Sequence, residues 1–501
     1  MRIIFILLLV LLSPFCELKS QQIDRPVIDS KMLFNRMQGD SPYELFYNPA
    51  LLIQDPEPEV LCLRSVVNNS EGGFKPFVQP GRTSLYRQSV SGKKQINAHQ
   101  IFKGRFGFQK LVRDEWDWLA TRDLHFGMPF LLGDATSGAT HFNAILIKAE
   151  YCHLFEKLSL GVSLDYQVDE GLKEVSPKPT SKHRDIHFTI GAGYQLSKKL
   201  SLEMITSVSD NNEEIYYRED KTSAYQEVTL VKFRGYDLPL LLNKKVETRY
   251  GYFDDYRFAG SVRYKWAEKS FVQTYFENGI QQINIQDNAI DPREEGYWQN
   301  HLISGGLKSV WSIGEGVFWR LHYHYGSQAM WARHPNYNTV MSDVKLPQQA
   351  IATQAELHLN SELQLLISTG FGVSKIEYSD YFSALDWSAE QQRWSLRTGT
   401  NYQIRPALGT SIFAGYANVN SSGVAGQLKP DVQYRQTDID YYLTQFREIT
   451  VDMAWRIFFR DFGLVNLIAE YRRITPGGSQ LFDRKTRSEL FLKLEIWVKA
   501  Y

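Results

Sequence analysis

The stretch IHFTIGAGYQL, residues Ile186 to Leu196, alternates strictly between apolar and polar positions. Its even-numbered residues are apolar, and its odd-numbered residues are His, Thr, Gly and Gln. Successive side chains of a β-strand point to opposite faces, so such a strand has one apolar and one polar face. The same alternation recurs at 158–167, 317–325 and 393–404. The chain beyond residue 96 is therefore predicted to be all-β, a series of two-faced strands.

Three features of these predicted strands favour a transmembrane antiparallel β-barrel over a soluble sandwich. The alternating segments run for roughly 10 to 14 residues, whereas strands of globular proteins average about 5 or 6. Short and long connections alternate, as the periplasmic turns and external loops of outer-membrane barrels do. The apolar rows also begin or end in aromatic side chains, as rows at a membrane interface do. These aromatic residues are Tyr166, Tyr194, Trp266, Trp311, Tyr402 and Trp455.

The connections predict the number of strands. Tight turns are predicted at 156–157, 197–198, 267–269, 313–316, 360–361, 405–406 and 460–461. Longer loops are predicted at 111–141, 170–183, 209–255, 284–296, 327–347, 378–390, 420–441 and 476–485. Seven turns and eight loops imply about 16 strands, the first near 97–110, with both termini in the periplasm; 14 strands is the alternative. An even number is expected, and closure satisfies the backbone hydrogen bonds in lipid.

The last predicted strand carries an apolar row from Leu490 to Val498, and the chain ends on Tyr501. This pattern resembles the C-terminal recognition strand of bacterial outer-membrane proteins. The resemblance implies insertion by the barrel assembly machinery and contact with outer-membrane lipid. Tyr501 has the parity of Trp497 rather than of the apolar row, so the usual register of that signal is not reproduced.

Residues 1–20 predict a secretory signal peptide. Arg2 precedes an apolar run from Ile3 to Leu12, which is shorter than the roughly 20 residues of a membrane-spanning helix. Cleavage is expected after Ser20. Lipoprotein processing at Cys16 is the alternative, although the residues just before it are not small. The predicted location is the outer membrane of a Gram-negative bacterium.

Composition excludes several classes of function. Lys+Arg and Asp+Glu both number 56, which argues against a nucleic-acid partner. Outside the signal peptide, Cys62 and Cys152 are the only cysteines, too few for a disulfide framework or a zinc set. One hypothesis is that these two form a disulfide, because the periplasm is oxidising.

Residues 21–96 do not alternate, and we predict that they fold as loops and short helices into the lumen or across its periplasmic mouth. Within them, Asp40-Ser41 is followed by Asn48-Pro49-Ala50-Leu51. This pattern resembles the N-terminal hatch of the long-chain fatty acid transporter (FadL-like) superfamily, in which Asn-Pro-Ala lies inside the barrel. The resemblance implies that Asn48, Pro49 and Ala50 are hatch residues.

The predicted organisation is therefore a signal peptide at 1–20, a hatch at 21–96 and a barrel at 97–501. It departs from the FadL-like pattern, because the hatch is longer and the predicted strands exceed that family's fourteen. Length and Tyr-rich loops also resemble a group of Bacteroidota outer-membrane barrels, a resemblance that implies fold and location rather than activity.

No catalytic motif stands out, so the protein is predicted not to be an enzyme, and no cofactor is implied. His322 and His324 share one strand face and form the kind of pair that can bind a metal, but we favour two polar lumen residues and predict no metal. The acidic stretch 210–214 has oxygen ligands suited to calcium, but a solvated loop is the favoured interpretation.

The inward face of the predicted wall carries charges of both signs, which face water or a polar plug rather than lipid. Arginines there would bias an open pore towards anions or, as we favour, pair with carboxylates of residues 21–96. The predicted lumen-lining residues are Arg257, Arg263, Arg320, His322, His324, Arg393, Arg397 and Arg456.

These features predict a plugged transport channel for small molecules, hydrophobic ones included. The alternative is a non-catalytic accessory subunit of an outer-membrane uptake or secretion complex, bound to a partner outer-membrane protein or lipoprotein. It is favoured by aromatic residues expected in long loops, Tyr216-Tyr217 and Tyr250-Gly-Tyr252, because aromatics suit partner surfaces.

Overall fold

The computed structural model describes residues 47–54, 60–117, 119–134, 136–218, 228–235, 239–244, 246–288, 291–314, 316–337, 339–405, 408–424, 436–459, 463–478 and 481–499. The predicted signal peptide and residues 21–46 of the predicted hatch lie outside these ranges.

Eighteen strands form one antiparallel sheet that closes into a barrel. Each barrel strand pairs with the next barrel strand along the chain. The last strand pairs with the first in a continuous register from Val60–Lys499 to Gly72–Arg487. The barrel strands are β1 (Val60–Gly72), β2 (Arg82–Asn97), β3 (Gln100–Asp117), β5 (Ser137–Phe155), β6 (Leu158–Lys173), β7 (Thr180–Gln195), β8 (Leu200–Arg218), β11 (Val246–Ala267), β12 (Ser270–Asp287), β13 (Arg293–Ser312), β14 (Val317–His334), β15 (Thr339–His358), β16 (Leu363–Asp380), β17 (Leu385–Arg405), β18 (Leu408–Val424), β19 (Gln445–Phe459), β20 (Gly463–Gly477) and β21 (Arg487–Lys499).

The remaining elements are short. A separate small sheet contains β4 (Leu132–Asp134), β9 (Val228–Phe233) and β10 (Pro239–Lys244). There is one α-helix in the described ranges, α1 (Gln436–Leu443), and there are 3-10 helices at Pro49–Gln54 and Pro335–Tyr337. None of the described helices is long and apolar enough to cross a membrane.

The two ends of the barrel differ in their connections. All seven predicted tight turns fall at junctions between consecutive strands, two of them beginning on the last strand residues, Ala267 and Arg405, and an eighth, at 98–99, joins β2 to β3. The first strand begins, and the last strand ends, at this same end of the barrel. We call it the short-turn end, and the opposite end, which carries the longer connections, the long-loop end.

The predictions of 16 or 14 strands were wrong. The two additional strands are β1 and β2, whose residues we had assigned to the hatch at 21–96. Their outward rows are interrupted by polar residues such as Ser65 and Gln88, and they place apolar Val66 and Leu85 inside the barrel. Neither strand therefore shows the clean alternation by which the other strands were recognised.

The outer face of the wall is an apolar belt. Its exposed side chains include Leu160, Ile190, Met204, Phe276, Trp394 and Ile449. The outward and inward positions alternate as predicted: on β6, buried Ser159 and Ser163 flank exposed Leu160 and Val162. An apolar exterior around closed backbone hydrogen bonding is the arrangement that a lipid bilayer requires.

Several predicted loops are strand instead. The predicted loop at 209–255 contains the end of β8 and the start of β11, and the loop at 327–347 contains eight of the eighteen residue pairs between β14 and β15. The acidic stretch 210–214 is thus part of β8, and Tyr216-Tyr217 and Tyr250-Gly-Tyr252 lie on strands rather than in loops. The physical reason is that the polar–apolar alternation stops before the strands do: at the long-loop end β8 carries polar residues on both faces, such as Asp210 and Asn211, and inward positions of β14 are apolar, such as Met330.

Candidate functional site

The inward face of the wall carries charged side chains that pair with one another. Glu448 on β19 lies between Arg393 on β17, at an N–O distance of 3.0 Å, and Arg472 on β20, at 2.7 Å. Arg397 pairs with Asp452 at 2.6 Å. Glu448 is 2% exposed, so both of its partners compensate a charge that has been removed from water.

A second group of predicted lumen residues is paired in the same way. Arg257 on β11 contacts Asp255 on its own strand at 2.7 Å and Glu277 on β12 at 3.3 Å. Arg320 on β14 contacts Glu356 on β15 at 2.5 Å. These arginines therefore bond carboxylates of the wall. Pairing with carboxylates of residues 21–96 involves residues outside the described ranges and stays a prediction. Inward side chains of adjacent strands lie only about 5 Å apart, closer than a separate segment needs to come.

Arg263 and Arg456 have other surroundings. The guanidinium carbon of Arg263 lies 3.6 Å from the centroid of the Phe271 ring, a cation–π contact. Arg456 is on the same face of β19 as Asp452 and is exposed near the short-turn end.

His322 and His324 are part of a hydrogen-bonded group on the inner wall. The hydroxyl of Tyr275 lies 2.7 Å from Nδ1 of His324 and 3.3 Å from Nε2 of His322. Within the ranges that the structure describes, no group of three or more His, Cys, Asp or Glu side chains is arranged to hold a metal ion.

The Asn-Pro-Ala stretch lies inside the barrel against β5, β6 and β7. Asn48 is fully buried and caps the 3-10 helix: its Oδ1 accepts the Ala50 N–H at 3.0 Å, and its backbone oxygen accepts the Leu51 N–H at 3.0 Å. Pro49, which has no N–H to satisfy, occupies the first helical position. The hydroxyl of Tyr47 donates to Glu150 on the wall.

Two wall glycines make room for this turn. A Cβ added to Gly191 would lie 1.9 Å from Oδ1 of Asn48, and one added to Gly161 would lie 2.2 Å from the carbonyl carbon of Pro49. Both distances are far below van der Waals contact. A glycine is therefore required at each position for the turn to approach the wall this closely.

Cys62 and Cys152 are not bonded to each other, so the disulfide hypothesis was wrong. Cys62 lies on β1 and Cys152 on β5, with β2 and β3 between them. Three interstrand spacings are about 14 Å, twice the largest Cα separation of about 7 Å that a disulfide spans. The Cys152 thiol instead donates to the Ala50 carbonyl at 3.2 Å. It lies beneath Asn48 and the 3-10 helix Pro49–Gln54, which together we call the lumenal turn.

Four segments fold inward at the long-loop end. They are residues 73–81, residues 119–134, β9 and α1, and we call them together the cap. Phe74, Phe130, Phe233 and Ile439, one from each, are at most 1% exposed. They share one apolar cluster with inward side chains from much of the wall: Leu85, Leu111, Phe142, Ile285, Trp298, Met330, Leu346, Tyr378, Trp387, Val419, Phe446 and Ile474.

Buried ion pairs also connect the cap to the wall. Lys232 on β9 contacts Asp287 of β12 at 2.6 Å and Glu295 of β13 at 3.1 Å. Arg249 of β11 holds the same Asp287 through two bonds, of 2.8 and 2.9 Å, and donates to the Phe130 carbonyl at 3.0 Å. Asp287 thus links two cap segments to the wall.

Residues 119–134 have a second charged connection. Asp123 accepts hydrogen bonds from Arg122 at 2.9 Å and from Asn211 at 3.0 Å, and Nε2 of His183 lies 3.1 Å from its carboxylate. Nδ1 of His183 also contacts Asp169, at 3.1 Å. Although burial alone would raise it, the pKa of Asp123 is held well below its usual range by Arg122 and His183.

Stacked aromatic rings attach α1 to the wall. Tyr378 of β16, Trp387 of β17 and Tyr442 of α1 stack in series, each pair with ring centroids 5.8 Å apart and planes within 13° of parallel. Phe126 meets Tyr442 edge-on at 5.9 Å. Such pairs contribute roughly 0.5 to 1.5 kcal/mol beyond the area they bury.

Trp387→Ala is expected to destabilise the attachment of α1 by about 3 to 5 kcal/mol, because it removes the middle ring of the stack and leaves a cavity. Hydrogen exchange of the α1 amides measures this loss. Trp394→Ala is the matched control, since Trp394 lies on the outward face of the same strand and is 58% exposed. Equal exchange at α1 in both variants would contradict the prediction.

A family model described as a family of unknown function, DUF6850, matches residues 49–497. The chain belongs to the DUF6850 family. The match runs from the lumenal turn to the last strand, so the wall and the cap segments both lie within it. No curated protein sequence matches this DUF6850 chain significantly.

Solved structures share only the barrel with this DUF6850 protein. The alcaligin outer-membrane receptor FauA of Bordetella pertussis aligns at 9% identity and a TM-score of 0.41, over 88% of this chain and 76% of the receptor. A FadL homologue of Pseudomonas aeruginosa aligns at 10% identity and 0.34, over 92% and 94%. The copper transporter OprC aligns at 8% identity and 0.42, over 88% and 81%. At these TM-scores the likenesses assign no function.

The cap of the DUF6850 barrel is the part of the site that sequence reasoning missed. One signal in the sequence marks it: near the long-loop end, Ile283, Ile285, Met330 and Ala332 are apolar at inward positions. The inward faces of β12 and β14 become apolar there, which indicates that a packed segment lies inside the mouth.

Proposed function

We propose that this DUF6850 barrel is an outer-membrane transport channel for small molecules, hydrophobic ones included, and that the cap gates it. One arrangement carries the proposal. Charged side chains line the inner wall beneath the cap, and the apolar cap fills the mouth at the long-loop end. Charged side chains that face a lumen imply water there. Passage then depends on movement of the cap.

The composition of the cap interface supports a gate rather than a permanent stopper. Each buried apolar side chain stabilises the closed cap by roughly 1.5 to 3 kcal/mol. Buried ion pairs such as Lys232–Asp287 contribute less than apolar packing of the same volume, because both charges lose their hydration. An interface that mixes the two is therefore less stable than a purely apolar one, and it comes apart more readily.

The orientation that we propose places the short-turn end, with both ends of the wall, in the periplasm and the cap outside the cell. The turn at Asn48, Pro49 and Ala50 would then be a hatch at the periplasmic side of the lumen. The apolar belt would contact outer-membrane lipid, and the barrel assembly machinery would close β21 against β1.

Phe130→Asp is expected to open the channel. Phe130 is 1% exposed within the apolar cluster, and a carboxylate there costs several kcal/mol unless residues 119–134 leave the mouth. In planar bilayers we expect the wild-type protein to give no steady conductance steps and the variant to give them. Liposome swelling with uncharged solutes of increasing size then measures the width of the opened path.

Leu241→Asp is the control, because Leu241 lies on β10 and is 67% exposed. It introduces the same charge without disturbing the apolar cluster. The proposed gate would be contradicted by a folded Phe130→Asp barrel that gives no conductance steps, or by a wild-type barrel that conducts as a wide pore.

A second candidate function is that of an accessory subunit, and one observation favours it. A broad groove crosses the outer wall from β2 to β11 and contains exposed aromatic residues, including Tyr86, Phe108 and Tyr252, beside charged Arg184. Aromatic and arginine side chains are enriched at protein interfaces. Co-purification of an outer-membrane protein or lipoprotein in a fixed ratio would favour this function over transport alone.

A further inference from the structure

We propose that the cap contains a binding site for a small amphipathic cation, with an ammonium group at one end and an apolar body at the other. The site is an internal cavity of about 60 Å³ between residues 119–134 and the inward faces of β8, β11 and β12. One water needs about 15 Å³ of such space, so the cavity holds roughly four groups of that size.

The cavity has an apolar end and a polar end. Such a combination, an apolar lining with a few convergent polar groups, is typical of small-molecule sites. The apolar end is formed by Met128, Phe130, Leu131, Ile283 and Ile285. The polar end is formed by Thr121, Asp123, His125, Asn211 and Glu213. Arg249 also lines the cavity, and its guanidinium is bonded to Asp287 and to the Phe130 carbonyl.

His125 provides hydrogen-bonding capacity at the polar end. Its ring stacks on Phe253, with centroids 4.6 Å apart, and lies 5.9 Å from Trp298. Its ring nitrogens have no hydrogen-bond partner among the residues that the structure describes. Burial lowers the pKa of His125, although Asp123 and Asp255 raise it, so the neutral ring has one nitrogen that accepts a hydrogen bond.

Glu213 provides the negative charge. Its carboxylate accepts from the Ser181 hydroxyl at 2.8 Å, from the Thr121 hydroxyl and from the Arg122 backbone N–H, all neutral donors. In the described part of the chain no Lys or Arg side chain pairs with it, and the nearby His183 is already bonded to two other carboxylates. A buried carboxylate that is bonded by neutral donors, without a Lys or Arg partner, favours a cationic ligand.

A neighbouring cavity extends the site towards α1. It measures about 50 Å³, shares His125, Met128 and Leu131 with the first, and is also lined by Trp387 and Tyr442. Aromatic faces attract cations, so this second cavity suits the same class of ligand. An anion would instead meet the carboxylates of the polar end, and an uncharged ligand would leave the charge of Glu213 uncompensated.

The test uses n-butylammonium, with butyrate and 1-butanol as probes of equal length and different charge. Saturation-transfer NMR titrations on the full chain in detergent micelles measure each affinity. We expect saturable binding of n-butylammonium, with the other two probes weaker by at least about tenfold, as loss of a charge-assisted hydrogen bond implies. Equal binding of butyrate or 1-butanol, or no saturable binding of n-butylammonium, would overturn the proposal.

Glu213→Gln keeps the shape of the side chain and removes its charge. We expect this substitution to lower the affinity for n-butylammonium by at least about tenfold. Glu214→Gln is the matched control, because Glu214 is the next residue on β8 and faces the outer groove. An unchanged affinity in Glu213→Gln, or an equal loss in Glu214→Gln, would refute the site. The selectivity of the wild-type protein is a separate test that no variant's folding affects.

The inference rests on the cap but not on transport. Binding is measured on the closed barrel, whereas the gate is tested by the conductance of Phe130→Asp. A barrel that fails to bind n-butylammonium can still be gated by the cap. A barrel that binds it can still give no conductance when Phe130 is replaced by Asp.

Discussion

In the Asp287→Asn variant, we expect β9 and residues 119–134 to become accessible to protease while the wall stays intact. The substitution removes the carboxylate that Arg249 and Lys232 share, leaving Lys232 with Glu295 and Arg249 without its bidentate partner. Breaking a buried ion pair from one side costs about 3 to 5 kcal/mol. That loss exceeds what one apolar cap side chain contributes, so the cap should open far more often.

Limited proteolysis with mass spectrometry of the fragments measures the opening, and bilayer conductance on the same preparation shows whether the path is continuous. Asp291→Asn makes the same chemical change in an ion pair with Arg293, in which both side chains are at least 70% exposed. Exposed pairs contribute roughly 0 to 1 kcal/mol, so this control should behave as wild type. Identical cleavage of the two variants would show that Asp287 does not hold the cap.

Gly191→Val is expected to displace the lumenal turn from its contact with the barrel wall. The first added carbon would lie 1.9 Å from Oδ1 of Asn48, and the two further methyl groups of valine need more space still. Because the wall is fixed by its backbone hydrogen bonds, the turn must move. Its displacement uncovers the Cys152 thiol, which lies beneath Ala50 and is 1% exposed.

Labelling of Cys152 by a bulky maleimide in detergent reports this displacement, and we expect its rate to rise by at least about tenfold. Cys62, buried at a distance on β1, is the internal reference for general unfolding. Gly260→Ala is the control variant, since a Cβ there meets no atom closer than 3.4 Å. Continued protection of Cys152 in a folded Gly191→Val barrel would contradict the placement of the turn.

The wall was predictable where lipid alone determined the pattern. On β7 and over residues 319–325 of β14, apolar outward residues alternate with polar inward ones, and the tight turns followed from where that alternation stops. Residues such as Val66 and Leu85 broke the rule because they face other protein atoms inside the barrel. The strand count was therefore wrong by the two strands, β1 and β2, that carry them.

The candidate site was predictable to a smaller extent. Arg320 and Arg393 could be assigned to the inner face from alternation, but their partners, Glu356 and Glu448, depend on the register between strands, which a sequence pattern does not give. The cap could not be derived at all, because it joins segments that are hundreds of residues apart. Its only local mark is the apolar inward face at positions such as Ile285.

The origin of the cap segments has a consequence for biogenesis. Phe74 comes from the first connection of the wall and Ile439 from one of the last, and both belong to one apolar cluster. That cluster can assemble only after the strands between them have been laid down side by side. Each newly made molecule should therefore pass through a stage in which its wall is largely complete and its mouth is still open. Under the gate that we propose, the barrel is an open pore during that interval, and it closes only when the first and last cap segments meet.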